Sequence, residues 1–233
     1  MDNFGQSTFS FTPDALTLVG QARLAYIRKV YTYFSFAIFA GVAGAIIAMN
    51  TGLVFFSVQH PFIGMIAFIA MAFFASSSAS NPTRAVPTLL GFTFLSGVII
   101  SPSLYAIAHG YIRGSGVATI YDALFLTSLV FGALTAYVFI TKKDFSYMGA
   151  SLTIGLFMVI GISVVNIFIQ SSTVDLALSS IIVILFSGFI LYDTSRILKN
   201  AHEIPPTLAA LNLYLDFLNL FMAILRLLSR SRD

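Results

Sequence analysis

From residue 30 onward the chain alternates between long apolar stretches and short polar ones. Stretches near 30–49, 61–79, 87–108, 119–141, 147–170, 176–198 and 207–228 carry almost no charge. Each supplies about the 20 residues a helix needs to cross a hydrocarbon core roughly 30 Å thick. Between them stand residues that favour turns: Asn50-Thr51-Gly52, Asn81-Pro82, Gly114-Ser115-Gly116, Lys142-Lys143-Asp144, Ser171-Ser172 and Pro205-Pro206. The stretches are continuously apolar rather than alternating, which argues against a β-barrel. The pattern predicts an all-α integral membrane protein, a seven-transmembrane-helix bundle. It divides into an N-terminal segment 1–29, a membrane domain 30–228 and a tail 229–233.

Composition agrees with that reading. Of the 233 residues 58% are hydrophobic and only 9% are charged, against about 25% charged in a soluble domain. So few charges cannot keep a whole surface wet, so most of the exterior faces lipid. With no cysteine, disulfides and thiolate metal sites are excluded. No basic run exceeds Lys142-Lys143 and the aromatics sit in apolar stretches, so nucleic acid is not an expected partner. The first apolar stretch has the length of a full span and is read as one, not as a cleaved leader.

The basic residues set the orientation. With the N-terminus in the cytosol, the inner segments carry Arg23, Arg28, Lys29, Arg84, Lys142, Lys143, Arg196 and Lys199, and the outer loops only Arg113. This is the positive-inside asymmetry, and a bacterial cytoplasmic (inner) membrane is the expected location. The tail runs against it, since a seventh span places Arg226, Arg230 and Arg232 outside. The last segment either spans, shielded by the other six, or re-enters. Its full length and its lack of an internal Gly or Pro favour spanning.

Intramembrane acids mark candidate chemistry, because a carboxylate at the centre of a bilayer costs roughly 2.5–3.5 kcal/mol on insertion scales. Three acids fall within the stretches: Asp122 at the outer end of the fourth, where water is available, and, deeper, Asp193 in the sixth and Asp216 in the seventh. Asn212, Asp216 and Asn219 are spaced four and three apart and share one helix face, which must point into the bundle or a wet cavity. Arg196, three residues after Asp193, can reach back to it. The bland reading is an interfacial ion pair and a helix-joining hydrogen bond. The functional reading joins the two acids. Two carboxylates brought together out of water cannot both ionise easily, so near neutral pH such a pair holds one proton. Losing that proton adds repulsion that parts the helices, a pH switch without histidine. Once ionised, the same groups are hard oxygen ligands suited to calcium.

Other features carry less. Pro102, between Ser101 and Ser103, frees the Val98 carbonyl, which could line an ion path or be satisfied by a hydroxyl. Ala37, Gly41 and Ala45, and likewise Ser151 and Gly155, form small-residue faces suited to close helix packing. His60, His109 and His202 fall at span ends or in loops without metal-ligand spacing. No phosphate loop, nucleophile elbow or zinc-protease motif occurs. No enzyme activity and no resident cofactor are expected.

The run Ile190-Leu191-Tyr192-Asp193, followed by Leu213-Tyr214-Leu215-Asp216-Phe217-Leu218-Asn219-Leu220-Phe221, resembles the Bax-inhibitor-like membrane family. Ser96-Gly97 through Ser101-Pro102, Lys142-Lys143-Asp144-Phe145-Ser146 and Asn166-Ile167-Phe168 support the resemblance in order. It implies a bundle with the last helix in the centre of the other six, and a pH-sensitive calcium leak in which the aspartates at Asp193 and Asp216 form the proton-sensing latch. A leak-forming bacterial relative adds a latch arginine near the inner end of the second span. Here the only basic residue there is Arg84, beyond Pro82. Either Arg84 reaches back, or Arg196 takes the part, or the latch has no arginine.

The expectation is therefore a proton-regulated cation leak in a lipid bilayer, with calcium as the permeant ion. The alternative is a regulator that binds another membrane protein, such as a membrane protease, through segment 1–29. A proton-coupled transporter is a weaker third option, since neither paired repeats nor broken helices stand out.

Overall fold

The computed structural model describes residues 13–112, 116–199, 201 and 203–230. Residues 1–12 of the proposed partner-binding segment lie outside that range. So do Arg113, His202, Arg232 and the tail from 231 to 233.

Eight α-helices follow in order among the described residues: α1 (Pro13–Asn50), α2 (Leu53–Gln59), α3 (Pro61–Ser78), α4 (Ala85–Ala108), α5 (Val117–Thr141), α6 (Gly149–Ile169), α7 (Ser172–Lys199) and α8 (Pro206–Arg230). A short 3-10 turn, Ser146–Met148, precedes α6. All except α2 are long and apolar enough to cross a membrane. The chain is an all-α multi-pass membrane bundle of seven such helices.

Two elements differ from the hydropathy reading. Helix α1 extends back to Pro13, through residues that include Arg23, Arg28 and Lys29. Hydropathy marks only the part in lipid, whereas the backbone stays helical until proline, which suits a first turn. Helix α2 occupies what reads as part of a loop. At seven residues it is too short to span, and its apolar sequence lacks the length of a crossing.

The last helix is central. Of the hydropathic window of α8, 61% is buried, against 11% in α3 and 17% in α6. Helix α8 touches α1, α3, α4, α5 and α7. Leu213, Leu220 and Leu225 on it are almost wholly enclosed. The last segment therefore runs as an unbroken helix packed among α1, α3, α4, α5 and α7.

Close approach of α1 and α4 sets one wall. A Cβ on Gly97 would collide with the Gly41 carbonyl and come within 2.8 Å of the Ala45 amide nitrogen. The Ala37-Gly41-Ala45 face is thus a packing face, with backbone against backbone as small residues allow. On α6, Gly155 meets Leu185 of α7, while Ser151 is exposed. The carbonyl freed by Pro102 is not open: Ser101 Oγ donates to Val98 O at 2.7 Å.

Helix α6 is the exception to this enclosure. Among the described elements it packs only on α7 and the 3-10 turn, and it makes no contact with α8. A groove between α6 and α8, floored by α7, results.

Candidate functional site

The groove holds the residues that hydropathy marks as costly. A cavity of about 750 Å³ runs along it, lined on α7 by Tyr192, Asp193 and Arg196 and on α8 by Asn212, Asp216, Asn219 and Arg226. Helical spacing brings Asn212, Asp216 and Asn219 to one side of α8, and all three face this cavity.

Asp193 and Asp216 meet there. Both carboxyl groups line this one cavity close enough to act on each other, with Asn212 on the same wall. Asp193 is 7% exposed and Asp216 4%, so both are cut off from bulk water. Oδ2 of Asp216 finds no hydrogen-bond donor among the described residues. Counted from the helix ends, Asp193 is six residues from Lys199 and Asp216 ten from Pro206. The contact means that α8 begins about one turn beyond the end of α7.

Arg196 Nη1 lies 3.8 Å from Asp193 Oδ1, and its guanidinium stacks 5.3 Å from the Tyr192 ring. At one-third side-chain exposure it sits at the mouth of the site. Arg84, the other latch candidate, stands exposed at the start of α4. It lines neither this cavity nor an ion pair among the described residues. Asn219 donates Nδ2 to Leu215 O at 2.7 Å, within its own helix.

Contacts invisible in the residue pattern hold the site. The α5–α6 connection grips the end of α7: Lys199 pairs with Asp144 at 2.6 Å, and the Phe145 amide donates to Ser195 Oγ at 3.1 Å. A Cβ on Gly149 would press on the Tyr192 ring. Arg23 of α1 donates to the Leu198 carbonyl at the end of α7. On α8, the hydroxyl of Tyr214 lies 2.5 Å from Ser96 Oγ and donates to the Thr93 carbonyl at 3.3 Å. The motif residues Tyr214, Ser96, Asp144 and Phe145 are therefore positioning residues. Their spacing carries no sign of these pairings, which tie residues tens of positions apart.

At the opposite end of the bundle, Arg230 Nη2 pairs with Asp175 Oδ2 at 2.7 Å, and Asn166 donates to Asp175 Oδ1 at 2.5 Å. These contacts join α6, α7 and α8.

Comparison with known proteins now decides the family. Residues 23–233 match the family described as "Inhibitor of apoptosis-promoting Bax1". The chain belongs to the Bax-inhibitor-like family. An uncharacterized membrane protein of Vibrio cholerae is 38% identical over 187 residues, covering 80% of this chain and 82% of its own. An uncharacterized protein of Helicobacter pylori is 35% identical over 211 residues, covering 90% and 88%. A Golgi anti-apoptotic protein of Vaccinia virus is 31% identical over 235 residues, covering 97% and 94%.

Proposed function

We propose that this family member is a proton-regulated cation leak, with calcium as the ion and the Asp193–Asp216 pair as its gate. The observation that carries the reading is the meeting of two enclosed carboxyl groups, from two different helices, in one membrane-level cavity. Two acceptor groups in contact repel unless a proton lies between them. A single shared proton supplies the donor that Oδ2 of Asp216 otherwise lacks. Its loss leaves two adjacent charges where water does not screen them, and that repulsion acts to separate α7 from α8.

Arg196, 3.8 Å from Asp193 Oδ1, is the latch cation. It serves this role in place of Arg84, which stands away from the cavity. Separation of the helices would join the cavity to the cytosolic side past Arg196. Two carboxylates with Asn212 and Asn219 offer few of the six to eight oxygen ligands that calcium takes, so the pair suits a passing ion better than a resident one. The distribution of Lys and Arg supports a cytosolic N-terminus in a bacterial cytoplasmic membrane.

The test is calcium flux from proteoliposomes across a pH series. Wild-type protein passes calcium at a rate that depends on pH, and Asp216→Asn flattens that dependence. Identical, background-level flux from both proteins refutes the leak.

A further inference from the structure

A second pocket adjoins the groove at the end away from Arg196. It has a volume of about 280 Å³ and is lined by Ser163, Asn166, Gln170, Asp175 and Arg226 among others. Arg226 and Ser163 also line the main groove, so the two spaces are continuous. The pocket sits where α6 ends, α7 begins and α8 is four residues from its last residue. A 25-residue α8 is about 37 Å long against a core of roughly 30 Å. The α6–α7 turn at Gln170 and Ser171 lies at this end, and such non-helical backbone belongs at the headgroup layer; Arg226 lies about 6 Å short of the helix end.

The charges in the pocket are unevenly used. The Asp175 carboxylate is taken by Arg230 and Asn166. The guanidinium of Arg226, the Ser163 hydroxyl and the Gln170 side-chain amide have no hydrogen bond or ion pair among the described residues. A free cation and the Gln170 amide thus stand near this end of the pocket, with Ser163 about 10 Å deeper along α6. Inward from Gln170 the α6 wall of the groove carries the apolar side chains Ile167, Val164 and Ile160. An exposed arginine at such a level needs an anion or water. A phosphodiester supplies one negative charge and acceptor oxygens matched to a guanidinium fork.

We propose that a phospholipid binds in the α6–α8 groove, its phosphate on Arg226 and Gln170 and one acyl chain along Ile167, Val164 and Ile160. The bound lipid closes the side of the bundle that α6 leaves open. The inference stands apart from the leak, since it concerns neither proton nor calcium.

The test uses full-length protein, stripped of lipid in a neutral detergent, with binding followed by native mass spectrometry and thermal melting. Probes are phosphatidylglycerol, diacylglycerol with the same chains, and inorganic phosphate. Phosphatidylglycerol should bind and raise the melting temperature, and the two partial probes should not. Arg226→Gln should bind phosphatidylglycerol about tenfold more weakly, a loss of about 1.4 kcal/mol, while Arg226→Lys keeps most of the affinity. Val164→Trp, which fills the groove and leaves the phosphate donors in place, should also weaken binding. This second variant keeps the test decisive if Arg226→Gln does not fold. Wild-type affinity in both Arg226→Gln and Val164→Trp overturns the site. Equal binding of diacylglycerol overturns the phosphate contact, and equal binding of inorganic phosphate overturns the lipid.

Discussion

Lys199 Nζ stands 2.6 Å from Asp144 Oδ2, closing the α5–α6 connection onto the last turn of α7. Asp144 also accepts from the Ser146 amide at 2.9 Å and from the Ser146 hydroxyl. The turn starts at Lys142, which ends α5 in the left-handed conformation at φ 52°. Two residues beyond Asp193, Ser195 takes the Phe145 amide. The loop thus braces the segment of α7 that carries the acid pair.

That brace has a pH dependence of definite sign. The Lys199 ammonium, followed by the Ser146 donors, holds the Asp144 carboxyl well below the usual carboxylate range. A carboxyl lowered in the folded state contributes stability above its unfolded value of about 3.9, and the contribution fades as pH falls below that. Near neutral pH the brace is intact. Asp144→Asn should speed exchange of the Phe145 amide severalfold at pH 7, measured by hydrogen–deuterium exchange. The wild-type protein should show the same change only at pH well below the usual carboxylate range, where Asp144 itself takes up a proton.

Tyr214 anchors α8 to α4 through its hydroxyl, shared between Ser96 and the Thr93 carbonyl. Tyr214→Phe should lower stability by about 1–2 kcal/mol, since it leaves buried partners without their bond. Melting in detergent checks the loss. Ser96→Ala should cost less in the Tyr214→Phe background than alone, because the two substitutions remove one shared interaction.

Gly97 sits where its neighbours' backbone leaves no room for a side chain. Gly97→Val should destabilise the bundle by about 3 kcal/mol, near the upper end for overpacking, since α1 must move as a body. Gly52, whose Cβ would meet nothing within 4 Å, supplies the control. Gly52→Ala should leave the melting temperature nearly unchanged.

If Asp193 and Asp216 act as one unit, their substitutions are not additive. Asp193→Asn and Asp216→Asn should each alter the pH response of calcium flux, and the double variant should do little more than either alone. Additive effects in the proteoliposome assay would separate the two acids into independent sites.

Much of this architecture can be read along the chain because lipid imposes a simple rule. An uncharged stretch of sufficient length has few alternatives to a spanning helix, so 87–108 foreshadows Ala85–Ala108. The two acids are legible for the same reason, since only a protected place tolerates them. Their contact is not, because spacing within a helix says nothing about its neighbour. Likewise no pattern reveals that Asp144 meets Lys199, or that Asp175 meets Arg230, across 55 positions in each case. Hydropathy also hides the beginning of α1, whose charged turns lie beyond the apolar part. Arg84 shows the opposite hazard: nearness in sequence to a span end does not bring a side chain to the cavity.

Helix α6, which among the described elements packs only on α7 and the 3-10 turn, gives the bundle a seam. Shifting α6 sideways leaves the packing of the central helix intact, so that widening is opposed mainly by the α6–α7 contact and the Asn166–Asp175 bond. Lipid pressure and membrane thickness act directly on such a seam, and both become levers on how far the acid-lined groove stands open.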